Sequence, residues 1–544
     1  MSIIKGISRH QTQIYCLDQE IAKESEARLI DAFVNWIPID SYRFVSKGNK
    51  KEGHPAYSVK DMLKLYFYGY LNRTRSSRRL EWLCKTNIEV MWLLNGLVPS
   101  HTSINGFRKD NGKQFIKVFR AFNRFLCNEG LFHKNIVATD GSKFRAQNSK
   151  KNNYNEKKVK QYLDHIDNQT EKYLKELEEN DQKDNDNSNA NINKVIKEKL
   201  EHLQLRREKY ETLEDQIKEA HQKGETQVST TDPDARSLPK RMGVVEVSYN
   251  IVTTVEAENK FITNFETTNK HDTYALSKSG RKARIALGLG IEDKLTQIAD
   301  KGFDTGYELK QCTEHNIATL VAPKKRVSPG KDPAYNKSKF IYDKIADNYT
   351  CPSGEILQTN GNYYKRKKGI VLRKSYSVKR YTISFHTCNA CPYKMECAGK
   401  ANISKSKGRY VERSEYQDYV DQNIERVMNN KELYRTRQSI VEHPYGTIKR
   451  QWGYDHTLLK GKGNVAGEFA IIFTIYNMRR AISILGVKEL IYLLGKAKAL
   501  FFGLKSSYIK RFRKLLSFCK FDYTPKYKSI NAPYYLDIAF EAIR

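Results

Sequence analysis

Three acidic residues hold positions from which metal-assisted chemistry could be run. Asp140 follows the short β-rich run Asn135–Thr139, and Asp300 follows a second run, Leu295–Ala299. A carboxylate at the C-terminal end of a buried strand faces the loops where a sheet opens to ligands. Glu442 lies in the helical pattern Glu432–Trp452, and Lys449, seven residues on, shares its face about two turns away. Tyr434, Arg437 and Gln438 lie on or near that face, and Pro444 interrupts the pattern, predicting a new helical segment near Glu442. Brought together, these carboxylates would repel and need cations, and hard oxygen donors suit Mg²⁺ or Mn²⁺. A pair of such ions roughly 3.5–4 Å apart activates an attacking oxygen and stabilises a leaving one in phosphoryl transfer. Arg437 and Lys449 would then grip phosphate. Taken singly, an Asp after a strand is more often a turn former or a helix cap.

A second chemistry-bearing set is the array Cys351, Cys388, Cys391 and Cys397, spaced C-x36-C-x2-C-x5-C. A Cys-x2-Cys knuckle lets two thiolates share a tetrahedral Zn²⁺, and the outer cysteines complete the four. Reduced free thiols are the alternative, and His386 could replace one ligand. Cys16, Cys84, Cys127, Cys312 and Cys519 are scattered and read as small buried hydrophobes. Gly288-Leu-Gly290 lacks the third glycine and the preceding strand of a phosphate loop.

The elements that must position these residues follow from patterning. Of 544 residues, 95 are Lys or Arg against 62 Asp or Glu, a net charge of +33, so a polyanionic partner is expected. Hydrophobic residues at 39% allow a sizeable core, and nine cysteines are too sparse for a secreted disulfide scaffold. The apolar run Phe469–Tyr476 is far short of the ~20 residues of a spanning helix. The opening MSIIKGISRHQTQ has no apolar signal region. Nucleic acid is therefore the expected partner, with no membrane.

Residues 1–130 read as short helices joined by tight turns, with Arg73, Arg75, Arg78, Arg79 and Arg108 in or beside them. That suits a helix-turn-helix-like DNA-binding domain, or else a helical domain with a solvated basic face. The first strand falls in 131–149. Residues 150–225 carry two heptad-like arms around the polar loop Asn180–Ala190, predicting an antiparallel helical hairpin projecting roughly 35 Å. Across 226–323 the order strand, strand, helix, strand, helix, strand implies a mixed sheet covered by helices. Residues 324–430 interleave Lys and Arg with Tyr (Lys324, Lys325, Arg326, Tyr363, Tyr364, Lys365, Arg366, Lys367, Lys368), as DNA-contacting surfaces do. Residues 431–500 supply the Glu442 helix and apolar core helices, and 501–544 form a basic tail.

In order along the chain, VATDGSKFRAQNSK, STTDPDAR, SYNIVTTVE, IADKGFDTGYEL and RTRQSIVEHPYGTIK resemble a bacterial insertion-sequence transposase of the DDE type. The resemblance runs from about residue 55 to 485 and is greatest to the branch whose catalytic helix reads Tyr-x2-Arg-x3-Glu-x6-Lys. Glu442-x6-Lys449 fits that signature, whereas four residues, not three, separate Arg437 from Glu442. The resemblance implies an α/β catalytic core, an RNase H-like mixed sheet flanked by helices, with an all-α N-terminal domain, the hairpin and the Cys-containing insertion added. It implies Asp140, Asp300 and Glu442 as the Mg²⁺ (or Mn²⁺) triad, with Tyr434, Arg437, Lys449, Lys143, Arg145 and Arg236 as phosphate or DNA contacts. Thr230–Arg236 would lie near the active site or on DNA, with Asp232 and Asp234 as reserve carboxylates should Asp140 fail, and Asp304 structural. The implied activity is cleavage of element ends and joining of 3′-hydroxyls to target double-stranded DNA by a homodimer or larger assembly in the cytoplasm, nucleoid-associated when bound. A nuclease without strand transfer and a non-catalytic DNA-binding protein are the rival readings.

Overall fold

In a computed structural model of the chain, residues 10–518 are described apart from 13, 15, 46–54, 134, 183–186, 223, 240–243, 325–330, 367–375 and 400–407. Side chains at 181–191 and 499–518 are likewise outside the description. The expected basic contacts Lys325, Arg326, Lys367 and Lys368, Cys519, most of the hairpin loop and residues 519–544 of the tail fall outside it.

The β-branched runs pair into one mixed sheet. Its strands are β1 (Ile136–Arg145), β2 (Arg236–Pro239), β3 (Val245–Glu256), β4 (Ile262–Thr268), β5 (Leu295–Ala299) and β6 (Ile317–Val321). β1 is central, antiparallel to β3 on one edge and parallel to β5 on the other, and β6 continues the parallel side. β4 and β2 lie end to end on the far edge of β3, giving the order β4-β3-β1-β5-β6 with β2 appended. β3 is buried from Val247 to Glu256 with no alternation, as a strand covered on both faces must be.

Helices supply those covers. The N-terminal region forms α1 (Glu26–Trp36), α2 (Val59–Leu71), α3 (Ser77–Thr86), α4 (His101–Asp110) and α5 (Gly112–Asn128). The hairpin helices are α6 (Glu156–Gln182) and α7 (Asn187–Gln222); α8 (Leu276–Ala286) and α9 (Gly306–Glu314) alternate with β4, β5 and β6. Two neighbouring β4 side chains show the two covered faces: Asn264 donates to the Ser279 carbonyl of α8, while Phe265 packs on Phe119 of α5 and on Phe473. Phe473 belongs to the long α12 (Lys462–Phe518), which bends at Gly486. α5 and α12 approach closely because Gly467 faces Gly112: a Cβ at 467 would lie 2.3 Å from the Gly112 Cα. One hydrophobic core runs from Ala27 through the sheet to Leu494, so the N-terminal helices share the interior of the sheet.

That packing corrects one expectation. Over Lys462–Lys498, α12 is long and apolar enough to cross a membrane, although its uninterrupted apolar run is short. Ile471, Ile472, Phe473, Ile475 and Tyr476 are buried in the protein interior, so its apolarity is that of a core helix.

Two peripheral units carry cores of their own. α6 and α7 run antiparallel, since Tyr162 stacks on Tyr210, Asp167 pairs with Arg207 and Lys199 lies over Tyr173. Between β6 and α10 (Gln417–Asn429) the chain builds a second, antiparallel sheet: β7 (Ile341–Asp343), β8 (Asn348–Thr350), β9 (Ile356–Arg366), β10 (Tyr376–Thr382) and β11 (Tyr410–Ser414). It packs on Phe340, Tyr349, Leu357, Tyr381 and Val411.

Candidate active site

β1 does not stop at Asp140, as its apolar run suggested, but continues to Arg145 because it remains paired with β3 throughout. What ends at Asp140 is the other ladder: β1 and β5 pair from Ile136↔Thr296 to Thr139↔Ala299, and the next residues are Asp140 and Asp300. Asp300 caps the short turn Lys301–Phe303, its Oδ1 accepting the Gly302 N–H at 2.8 Å. Asp140 Oδ1 accepts the Gly141 N–H at 2.8 Å.

A third carboxylate, which sequence patterning did not single out, enters from the turn after β4. Asp272 Oδ1 accepts from Asn250 Nδ2 at 2.5 Å. Burial pushes the Asp140 carboxyl up to about 6, Asp300 and Asp272 add to the rise, and the Gly141 N–H and Arg437 oppose it. The Asp272 carboxyl is also raised, by burial first and with Asp300 contributing, against the Asn250 bond.

Helix α11 (Lys431–Tyr445) crosses these strand ends. Arg437 Nη1 lies 3.7 Å from Asp140 Oδ2. The Tyr434 hydroxyl is held above its ordinary range chiefly by burial, beside Arg437 and Asp300. Tyr445, also missed by sequence patterning, donates to the Ile251 carbonyl at 2.7 Å, accepts from Thr253 Oγ1 at 2.9 Å and approaches the Asp140 carbonyl. Glu442 differs from the aspartates: it is exposed, and Gln438 Nε2 donates to its Oε1 at 2.9 Å. Among the described residues, no three His, Cys, Asp or Glu side chains stand close enough together to hold a metal ion.

Pro444 starts no new segment; α11 runs through it into a π-helical stretch, Gly446–Gln451. That wider turn alters the simple two-turn relation between Glu442 and Lys449. Lys449 Nζ donates to Ser142 Oγ at 2.6 Å and to the Lys143 carbonyl at 2.7 Å, over the Phe144 ring, and so ties the stretch to β1.

Two family models match the chain: a transposase domain, DUF772, over residues 15–110, and a transposase DDE domain over 350–482. Both models describe transposase domains, and together they support an insertion-sequence DDE transposase. No curated protein matches it. The second match contains α11 with Arg437 and Glu442, and the first contains α1 to α4.

Several residues expected at DNA are occupied internally. Arg75, 7% exposed, pairs with buried Glu468 at 3.2 Å and lies over Tyr454. Arg108 is buried against the Tyr70 hydroxyl and the Arg75 carbonyl. Arg73, Arg78 and Arg79 remain exposed. Arg236 pairs with Glu225 at 3.1 Å, Lys143 Nζ donates to the Pro239 carbonyl, and Arg145 is exposed. The Asp-Pro-Asp turn holds the start of α12: Asp232 accepts from the Tyr249 hydroxyl and the Gly461 N–H, and Asp234 accepts from the Lys462 N–H. Asp304 Oδ2 accepts the Lys324 N–H at 2.8 Å.

The four clustered cysteines gather at one end of the second sheet. Ser353 Oγ, two residues past Cys351, is 3.7 Å from Cys391 Sγ, and the Arg409 N–H donates to Cys388 Sγ at 3.3 Å. Burial pushes the Cys397 thiol up to about 11, with the other three thiols adding to the rise against Arg409. They too stop short of metal-holding proximity, so the zinc expectation finds no preassembled site.

Proposed function

We propose that this transposase cleaves the ends of its own mobile element and joins the freed 3′-hydroxyls to target DNA. The observation that carries the reading is the placement of Asp140 and Asp300 side by side at the end of one parallel ladder, beneath the helix that bears Arg437 and Glu442. The strand order β4-β3-β1-β5-β6, with its two antiparallel and two parallel neighbours, supports an RNase H-like core.

The donor types suit divalent cations, but holding one requires the side chains to draw together, since among the described residues no three stand at metal-holding distance. Several carboxylates share one partly buried space in which burial and mutual repulsion lift Asp140, and Arg437 offsets only part of that charge. Asp140, Asp300 and Glu442 are the proposed Mg²⁺ or Mn²⁺ ligands. Bound there, such ions would activate water or a 3′-hydroxyl as nucleophile and stabilise the leaving oxygen. The chain's own groups do the rest: Arg437 and Tyr434 orient phosphate above the aspartates, and Lys449 anchors the π-helical stretch to β1. Exposed Arg73, Arg78 and Arg79 offer cationic contacts to the duplex. Joining two element ends in one event calls for two such sites, hence a dimer or larger assembly.

The test is incubation of purified protein with DNA carrying the element's ends, with and without Mg²⁺. End-specific nicks followed by strand-transfer products are expected, and Asp140→Asn and Glu442→Gln should abolish both. Cleavage that survives either substitution overturns the assignment. Cleavage without joining would favour the nuclease reading, and binding without cleavage the non-catalytic one.

A further inference from the structure

The second sheet packs one face and shows the other to solvent. Tyr349, Leu357, Tyr381 and Val411 turn into its core, and the residues between them along each strand turn the opposite way. On that opposite side Ile341, Thr350 and Ile356 form one rung across β7, β8 and β9, and Gln358, Thr382 and Tyr410 form another across β9, β10 and β11. Ile341 is 72% exposed, Ile356 53% and Tyr410 49%, whereas Val378, across from Tyr364, is covered. Arg380 lies among them. Register places it directly across from Glu412 and diagonally between Tyr364 and Tyr410, whose ring centres are 4.7 and 6.0 Å from its guanidinium carbon. Glu412 accepts from Arg380 Nε at 3.2 Å and from Arg366 Nε at 3.1 Å, so one carboxylate fixes two guanidiniums and the patch stays cationic. Tyr363, from the same Lys-, Arg- and Tyr-rich stretch, turns to the other side, where Lys379 lies over its ring.

We infer that this face binds single-stranded DNA, its unpaired bases stacking on Tyr364, Arg380 and Tyr410 and its phosphates meeting the surplus positive charge. A duplex hides its base faces in its own stack, whereas every unpaired base offers a π-face to an aromatic ring or a guanidinium plane. Three such planes stand side by side on neighbouring strands, roughly 4.8 Å apart, with Glu412 already ordering the arginine between the rings. The inference rests on the transposase reading for the source of the strand, DNA opened at a cleaved end, but the binding itself needs no cleavage.

The probe is a fluorescein-labelled thymidine strand of about 15 nucleotides, mixed with full-length protein in chelator and followed by anisotropy, beside a duplex and an abasic strand of equal length. Tyr410→Ala and Arg380→Ala should each weaken thymidine-strand binding about tenfold, the loss of one stack, and leave the duplex within about twofold. Tyr410→Phe, which keeps the ring, should bind as the parent does. Arg380→Lys keeps the charge but not the plane, and should weaken the strand as Arg380→Ala does. Circular dichroism checks that each variant folds. Unchanged strand affinity in both alanine variants overturns the inference, as does an equal loss on the duplex or equal binding of the abasic strand, either of which would make the face a plain charge patch. Tighter binding of the matching uridine strand would assign RNA in place of DNA. Self-association of the parent that Tyr410→Ala abolishes, with strand binding unchanged, would assign the face to a second copy of the chain. Failure of end cleavage would instead overturn the transposase chemistry and leave the strand-binding result standing.

Discussion

Asp140 and Asp300 each directly follow the residues of the last rung, Thr139 and Ala299, of the parallel ladder between β1 and β5. Neighbouring strands lie roughly 4.8 Å apart, so that register alone brings the two carboxylates alongside each other. The proximity is only partly compensated within the protein: Arg437 lies 3.7 Å from Asp140, which stays harder to ionise than an ordinary carboxylate.

The pH dependence of stability has a definite sign. With its carboxyl at about 6, against 3.8 ordinarily, folded Asp140 binds its proton more tightly than the unfolded chain does. Its stabilising contribution is complete below pH ~4 and is lost as pH rises through ~6. Asp140→Asn should therefore stabilise the cation-free protein at pH 7.5 by about 1–2 kcal/mol, with the advantage vanishing near pH 4. Thermal melts in a chelator at both pH values check this, and a variant less stable than the parent at pH 7.5 would contradict it.

Gly141→Ala should disturb the site more than the fold. The added methyl collides with the Asp272 carboxylate, which can swing aside only by giving up the Asn250 bond. Overpacking of this kind costs about 1–3 kcal/mol. End cleavage should fall by roughly the hundredfold expected of about 1 Å misplacement at a reacting centre. Cleavage rates and melting temperatures measured on the same preparation separate the two effects.

Arg75 and Arg78 are close in sequence but should respond oppositely. Arg75→Ala leaves Glu468 buried without its ion-pair partner and should destabilise by about 3 kcal/mol or more. Arg78 is exposed, so Arg78→Ala should leave stability unchanged. If it meets a phosphate, the salt dependence of DNA binding should drop by about one unit of slope. Denaturant melts and binding isotherms at several salt concentrations distinguish the cases.

Asp232→Asn probes whether the Asp-Pro-Asp turn is structural. Asp232 is fully buried and bonded to Tyr249 and to the Gly461 N–H, which leads into α12. The substitution should destabilise the protein by about 1–3 kcal/mol while leaving Mn²⁺ affinity unchanged. A loss of Mn²⁺ affinity without a loss of stability would return Asp232 to the active site.

Much of the scaffold is legible in local pattern. The runs ending at Thr139 and Ala299 are β-branched and apolar, and the fours and threes of 150–225 form two helices. Glu442 could be placed on a helix by its neighbours' spacing. Asp272 could not be picked out, because in Asn-Lys-His-Asp-Thr it looks like any turn residue. Arg75 and Arg108 were indistinguishable from Arg78, since nothing local reveals that Glu468 and Tyr70 are buried beside them. Tyr445 likewise shows no local sign that its hydroxyl bonds across to β3.

The sequence by itself determined which residue types end each strand, where helical faces recur and how much cationic charge the chain carries, because these depend on neighbours a few positions apart. Only the tertiary structure decided which carboxylates share a space. Asp140 and Asp272 are separated by the whole helical hairpin, and their meeting depends on a strand register, on a glycine without a side chain and on a buried asparagine. The same long-range packing turned two of the N-terminal arginines inward and left Glu442 facing solvent.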